Sequence, residues 1–191
     1  MKIAIVGSGL MGLAIAWHLI EKGKCAVTLF DSKGIGEESS GVAAGLMHPY
    51  PGEEARRSFL ATQGIEATRR LLAVAQKKSC LPLACEQGIL RFPQSEEARA
   101  AFLSHAKTYG DVEERDSGFW LRSGMTIFCR RYLDSLWSAV QEGGGEFKQQ
   151  HIEDLAELSS YDHIVLALGA GIKTFKETAF LRLELLKGHG I

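Results

Sequence analysis

The stretch IAIVGSGLMGLAIAWHLIEKG, Ile3–Gly23, carries the first decision about the fold. An aliphatic run from Lys2 to Val6 leads into glycines at 7, 9 and 12. From Leu10 to Ile20 the apolar residues Leu13, Ala14, Ala16, Trp17 and Ile20 then recur at helical spacing. Gly23 ends that helix. A second apolar run, Ala26 to Phe30, finishes on Asp31, 19 positions after Gly12. A buried strand, a glycine turn, a helix and another strand tipped by an acid together make a βαβ unit.

Each glycine has a physical task in such a unit. Gly7 permits the tight turn out of the strand, Gly9 removes the Cβ that would block a pyrophosphate, and Gly12 lets the helix lie close on the sheet. The pyrophosphate meets the helix start at Leu10 and Met11, where free N–H groups and the positive end of the helix dipole stabilise negative charge without a lysine. Asp31, with Ser32 beside it, is expected to accept hydrogen bonds from the adenosine ribose hydroxyls and to repel a 2′-phosphate. A glycine-rich turn without chemical meaning is the bland alternative, and the agreement of strand, helix and acid disfavours it. FAD and NAD present the same ADP half, so this unit alone does not choose between them.

Composition narrows the classes further. A chain of 191 residues with 46% hydrophobic content supports one sizeable core, or one and a fraction. The net charge of -1 excludes wholesale attraction to nucleic acid or anionic membranes. Cys25, Cys80, Cys85 and Cys129 form no CxxC pair and have no histidines at finger spacing, so they read as reduced thiols and no metal is expected. The apolar start is broken by glycines and His18, which suits neither a secretion signal nor a membrane span, and a cytoplasmic location is the expectation.

After Asp31 the chain runs SKGIGEESSGVAAGLMHPYPG, Ser32 to Gly52, a long loop dense in small residues where a dehydrogenase would enter another helix. Here the sequence resembles the FAD-dependent oxidoreductases of the D-amino-acid oxidase and glycine oxidase family. That family includes the oxidase domain of the bifunctional tRNA methylaminomethyl-uridine biosynthesis protein. The matching stretches are VGSGLMGLAIAWHLIEKG, VTLFDS and SSGVAAGLMHP. The resemblance implies FAD as cofactor, with Ser39 and Ser40 near its phosphates and the backbone of Gly45, Leu46 and Met47 against the flavin ring system.

Two later stretches also resemble the family. In YDHIVLALGAGIKTF a strand over 164–168 precedes a glycine turn at Gly169 to Gly171, and the family assigns both to the same FAD domain. In FWLRSGMTIFCRRYLDSLWSAVQEGGGEFKQQHI a helix is expected over about Cys129–Glu142, with Leu133, Leu136, Trp137 and Val140 on one face. A strand near 147–152 follows, implying a backbone contact to adenine near Ile152.

The expected fold is therefore α/β, a Rossmann-like FAD/NAD(P)-binding domain with part of an antiparallel-sheet (α+β) substrate domain. The FAD-binding part is discontinuous, over 1–52 and 122–180; the substrate part takes 53–121 and 181–191. Within the latter, 53–78 reads as an amphipathic helix interrupted by Gly64, Glu86–Pro93 as a strand around Ile89 and Leu90, and Glu96–Tyr109 as a second helix.

The function implied is that of an FAD-dependent amine or amino-acid oxidoreductase. The flavin takes a hydride equivalent from a carbon next to nitrogen, and an imine results. No nucleophile motif is present, and no catalytic residue is identified. His48 either faces the flavin or fixes the turn before Pro49, and the sequence leaves this open. Arg91 reads as an outward surface arginine in preference to a partner for a substrate carboxylate.

Two rival functions are an oxidase for a modified tRNA base, which the charge disfavours, and a dinucleotide-binding module without catalysis. In length the chain departs from the family, because LRLELLKGHGI resembles the point where the family's chain re-enters the substrate sheet. The expectation is a shortened form of a longer protein, or else a decayed gene fragment, with little turnover alone. Apolar surface left open would favour self-association.

Overall fold

The computed structural model describes residues 1–185, so the last six residues of LRLELLKGHGI lie outside the described residues. In chain order the elements are β1 (Lys2–Val6), α1 (Leu10–Glu21), β2 (Ala26–Asp31), β3 (Leu46–Met47), α2 (Ala61–Gln76), β4 (Ala84–Cys85) and β5 (Ile89–Arg91). They continue with α3 (Glu96–Tyr109), β6 (Val112–Arg115), β7 (Gly118–Leu121), β8 (Met125–Ile127), α4 (Cys129–Glu142), β9 (Glu146–Gln149) and β10 (His163–Leu166). The described chain divides into two compact units, the second comprising Ala44–Ala73 and Leu81–Phe128 and the first all the rest.

The first unit is built on a four-stranded parallel sheet in the order β10-β1-β2-β9. Its register pairs Val6 with Phe30 on one side and with Leu166 on the other. Side chains alternate across a strand, so the two faces of β1 bury different sets. Ala4 and Val6 pack with Phe30, Ile152, Leu158 and Phe175, while Ile3 and Ile5 face the other way and are buried too. Burial on both faces explains the unbroken aliphatic runs.

Helices α1 and α4 pack together, and their apolar positions fall where the sequence spacing puts them. Leu13 and Ala16 of α1 are fully buried, as are Leu133, Leu136 and Val140 of α4, while Trp17 and Trp137 are half-buried. The glycines that follow α4 close it tightly, with the amide of Gly145 donating to the carbonyl of Val140 at 2.9 Å.

The second unit carries two antiparallel sheets, β3-β8-β4 and β5-β7-β6. A core of Tyr50, Ala55, Phe102, Val112, Phe119 and Leu121 holds it together. Helix α3 has local signals at both ends: Ser95 accepts from the Ala98 amide at 3.1 Å, and Gly110 ends the helix in the left-handed region at φ 63°. Glu96 and Glu97 in its first turn and Lys107 in its last complement the dipole.

One helix begins later than its pattern suggests. The amphipathic stretch starts at Glu53, yet α2 starts at Ala61, because Ala55 and Leu60 take positive φ of 52° and 56° and no helix runs through such residues. Gly64 lies inside α2 rather than interrupting it. Strands β9 and β10 are each set somewhat earlier than the expected 147–152 and 164–168, and the residues beyond them turn away to line a cavity.

Leu133 links this framework to the loop after β2, since its side chain fills the space a Cβ on Gly36 would need. Leu133→Ala is expected to lower the unfolding free energy by about 3 kcal/mol. Urea denaturation followed by circular dichroism checks this, and a loss under about 1 kcal/mol would contradict the packing described.

Candidate functional site

The site is assembled at the carboxyl ends of the four parallel strands. A cavity of about 310 Å³ there is lined by Val6 at the end of β1 with Gly7 and Gly9 beyond it, Asp31 at the end of β2 with Ser32 beyond it, Ile152 after β9, and Gly169 after β10. Glu38, Ser39 and Ser40 close it from the loop that follows β2. In open α/β sheets this is where ligands bind, near the point at which the strand order reverses, and the volume is ordinary for a small-molecule site.

The turn between β1 and α1 is tight. Gly7 has φ +107°, its amide donates to the Phe30 carbonyl at 2.8 Å, and a Cβ there would strike the backbone of Ala167. A Cβ on Gly12 would run into the carbonyl of Gly7. Gly9 differs: its backbone is ordinary extended chain, φ −78° and ψ −168°, and a Cβ would come close only to the hydroxyl end of Ser40. The fold itself therefore requires glycine at 7 and 12, whereas at 9 glycine leaves the mouth of the helix clear.

Helix α1 has no acidic residue in its first turn and no side chain on its N-cap residue, Gly9. The Leu10 amide donates to Ser40 Oγ at 3.2 Å, and that hydroxyl keeps its own proton for another acceptor. The Met11 and Gly12 amides precede the first intrahelical bond, from Leu13 to the Gly9 carbonyl, and have no acceptor within the helix. The side chains of Leu10 and Met11 are exposed, and neither residue is part of the cavity lining.

Asp31 is held by a residue that the glycine pattern passes over. Ser8, fully buried between Gly7 and Gly9, approaches Asp31 Oδ2 with both its amide and its hydroxyl, each at 2.9 Å. The same hydroxyl is 3.0 Å from the Gly34 carbonyl, and the Ser8 carbonyl accepts from the Gly36 amide at 3.1 Å. The Lys33 amide donates to Asp31 Oδ1 at 3.1 Å. The one sequence signal for Ser8 is its small hydroxyl at the middle of GSG, and the spacing rule gives that position no role.

Charge around the cavity is partly balanced. Glu38 on its wall pairs with Lys33 at 2.6 Å, and that pair holds the Lys33 ammonium above its usual range. Arg130 of α4 donates to Glu37 at 2.7 Å and to Asp134 at 2.6 Å, tying the loop after β2 to the helix.

Gly45, Leu46 and Met47 belong to the second unit. Leu46 and Met47 form β3 against Thr126 and Met125, and the Gly45 carbonyl accepts from the Ile127 amide at 2.8 Å. In the same unit His48 and Arg91 meet, with Arg91 Nη1 3.0 Å from His48 Nε2. Arg91 also donates to the Tyr50 carbonyl at 3.2 Å and the Gly52 carbonyl at 3.0 Å. The expectation of an outward surface arginine is corrected: its guanidinium faces inward and fastens the His48-to-Gly52 loop. Tyr50 donates to Asp111 at 2.6 Å, and Ser123 occupies the other carboxylate oxygen at 2.6 Å.

A parallel sheet with helices, a glycine turn at the first strand's end and an acid at the second's is the architecture of the dinucleotide-binding class. The family model described as FAD dependent oxidoreductase matches residues 2–191, and the chain belongs to that family, whose cofactor is FAD. Among solved structures, glycine oxidase from Geobacillus kaustophilus superposes with TM-score 0.75 at 18% identity, over 95% of this chain and 59% of that one. Iminodiacetate oxidase from Chelativorans sp. BNC1 gives 0.62 at 16%, over 78% and 47%. NikD, an unusual amino acid oxidase essential for nikkomycin biosynthesis, gives 0.58 at 20%, over 92% and 53%.

At these identities the likeness shows the fold, which is the expected Rossmann-like α/β arrangement with antiparallel sheets. The chain spans between about half and three fifths of these proteins. No curated protein matches the sequence. Among the described residues no helix is long and apolar enough to cross a membrane, and no group of histidine, cysteine or acidic residues is placed to hold a metal ion.

Burial, and secondarily the Arg91 charge, hold the His48 imidazole below its ordinary value of 6.5. Arg91 and the Tyr50 amide stand as donors against the two ring nitrogens, of which a neutral imidazole accepts through one and an imidazolium through neither. The native ring therefore stays neutral where an unfolded one has taken up a proton. Its contribution to stability is complete above pH 6.5 and is lost as the pH falls through that value towards the lower native one. Stability measured from pH 8 to 5 should fall more steeply in the native chain than in His48→Gln; equal slopes would contradict this.

Proposed function

We propose that the chain holds FAD with its ADP half in the cavity at the strand ends, as part of an oxidoreductase that acts on the C–N bond of an amine or amino acid. The observation that carries the reading is the convergence of three features on one cavity: the cleared start of α1, the Asp31 carboxylate and the hydroxyls of Ser39 and Ser40. The amides of Met11 and Gly12, which have no acceptor within the helix, stabilise the pyrophosphate, with Gly9 giving it room to approach. Ser40, already accepting from Leu10, has a proton to donate to a phosphate oxygen, and Ser39 lies beside it.

Asp31 accepts from the ribose, Ser32 borders that position, Ile152 lies against the adenine, and Gly169 passes close to the cofactor on the side of β10. When bound, the flavin accepts a hydride equivalent from the carbon beside the substrate nitrogen. This chain's part is to bind and orient it. The substrate class rests on the family, and the names of the similar structures, oxidases of glycine, iminodiacetate and an amino acid, are consistent with it.

Titration of the purified chain with FAD, followed by flavin fluorescence and visible absorbance, tests this. Binding is expected, and Gly9→Val should weaken it by at least about tenfold, or ~1.4 kcal/mol, because the new side chain stands over the helix start. Its thermal unfolding should stay close to that of the native chain, since the Gly9 backbone suits any residue. A chain that binds NAD and not FAD, or a Gly9→Val variant that binds FAD undiminished, would overturn the proposal.

A further inference from the structure

We propose that Ser8 is a positioning residue that leaves Asp31 a single oxygen for the ribose, so that this carboxylate reads one of the two adenosine ribose hydroxyls and ignores the other. The inference rests on the FAD reading above and adds the geometry of its sugar contact. A carboxylate oxygen has two acceptor positions. Ser8 N and Ser8 Oγ, both 2.9 Å from Asp31 Oδ2, stand at the two on that oxygen and leave no room there for a third donor, although the single hydroxyl proton also has the Gly34 carbonyl in reach. The Lys33 amide takes one on Oδ1, which leaves one acceptor position on the whole group.

The arrangement is stiff. Ser8 is fully buried, its carbonyl is held by the Gly36 amide and its hydroxyl proton is shared with the Gly34 carbonyl, so it cannot swing aside to release Oδ2. Asp31 meanwhile lines the cavity, with its remaining acceptor position the one available to a ligand. A carboxylate that gripped both hydroxyls would need an acceptor position for each. Here the second ribose hydroxyl must find water or another partner.

Competition against FAD by ADP, 2′-deoxy-ADP and 3′-deoxy-ADP reads this directly on the native chain. One deoxy analogue is expected to compete about tenfold or more weakly than ADP, the loss of one hydrogen bond to a charged group. The other should stay within about twofold of ADP, since it loses no contact with the carboxylate. In Ser8→Ala, where Oδ2 regains an acceptor position, the second analogue should become weaker as well. Asp31→Asn should lower the penalty for the first.

Equal penalties for both analogues in the native chain, or none for either while FAD binds, would overturn the inference and leave the FAD reading standing. The same one-hydroxyl pattern in a folded Ser8→Ala variant would remove Ser8 from the explanation and overturn it too. A native chain that binds neither FAD nor ADP would overturn the cofactor reading and this inference with it.

Discussion

The close approach of α1 to the exit of β1 sets the rest of the first unit. At this crossing Gly12 lies against the carbonyl of Gly7, with no space for even a methyl group between them. That contact aims the start of the helix at the strand ends and brings Ser8 inward, where it can reach the tip of β2. Once Ser8 is there, Asp31 has a fixed orientation and the loop from Gly34 to Gly36 has a partner for a carbonyl and for an amide. A small geometric constraint at two glycines thus propagates through four hydrogen bonds into the wall of the cavity.

The three glycines of the turn carry different kinds of information. Those at 7 and 12 are demanded by the backbone, and a chain with this fold would need them whatever it bound. Gly9 has no such demand on it, because its φ and ψ suit any residue and its neighbour is the flexible end of a serine. The turn thus constrains the chain at 7 and 12, and at 9 it leaves the start of the helix without a side chain over it.

Elements with local causes were legible from the residues. Strands β1 and β2 are buried aliphatic runs, α3 has a serine cap and a glycine stop, and α4 shows a clean apolar face; their observed bounds follow those signals. The start of α2 was not, because nothing in the sequence around Leu60 reveals that its backbone takes a positive φ. Nor was the β6–β7 hairpin, whose turn places Asp116 at φ 47°, nor the strands of two or three residues, which exist through their partners. In the site, the glycine spacing pointed to the cavity wall, but Ser8 acts on groups 23 to 26 positions away and no local pattern encodes that.

Arg91 shows why a charged residue on a strand is hard to read without its surroundings. Its neighbours in sequence, Leu90 and Phe92, are exposed, so the strand looks like a surface strand, yet the guanidinium turns in to two carbonyls and an imidazole. Pulling it out to pair with a substrate carboxylate would leave the Tyr50 and Gly52 carbonyls without this donor and remove the lesser of the two influences that disfavour protonation of His48. The Tyr50–Asp111–Ser123 cluster is bound up in the same way, with the two carboxylate oxygens each taken by a hydroxyl. These two polar groups are thus spent on the shape of the loop from His48 to Gly52 and on the core beneath it. Recognition of an anionic substrate would have to draw on donors other than these.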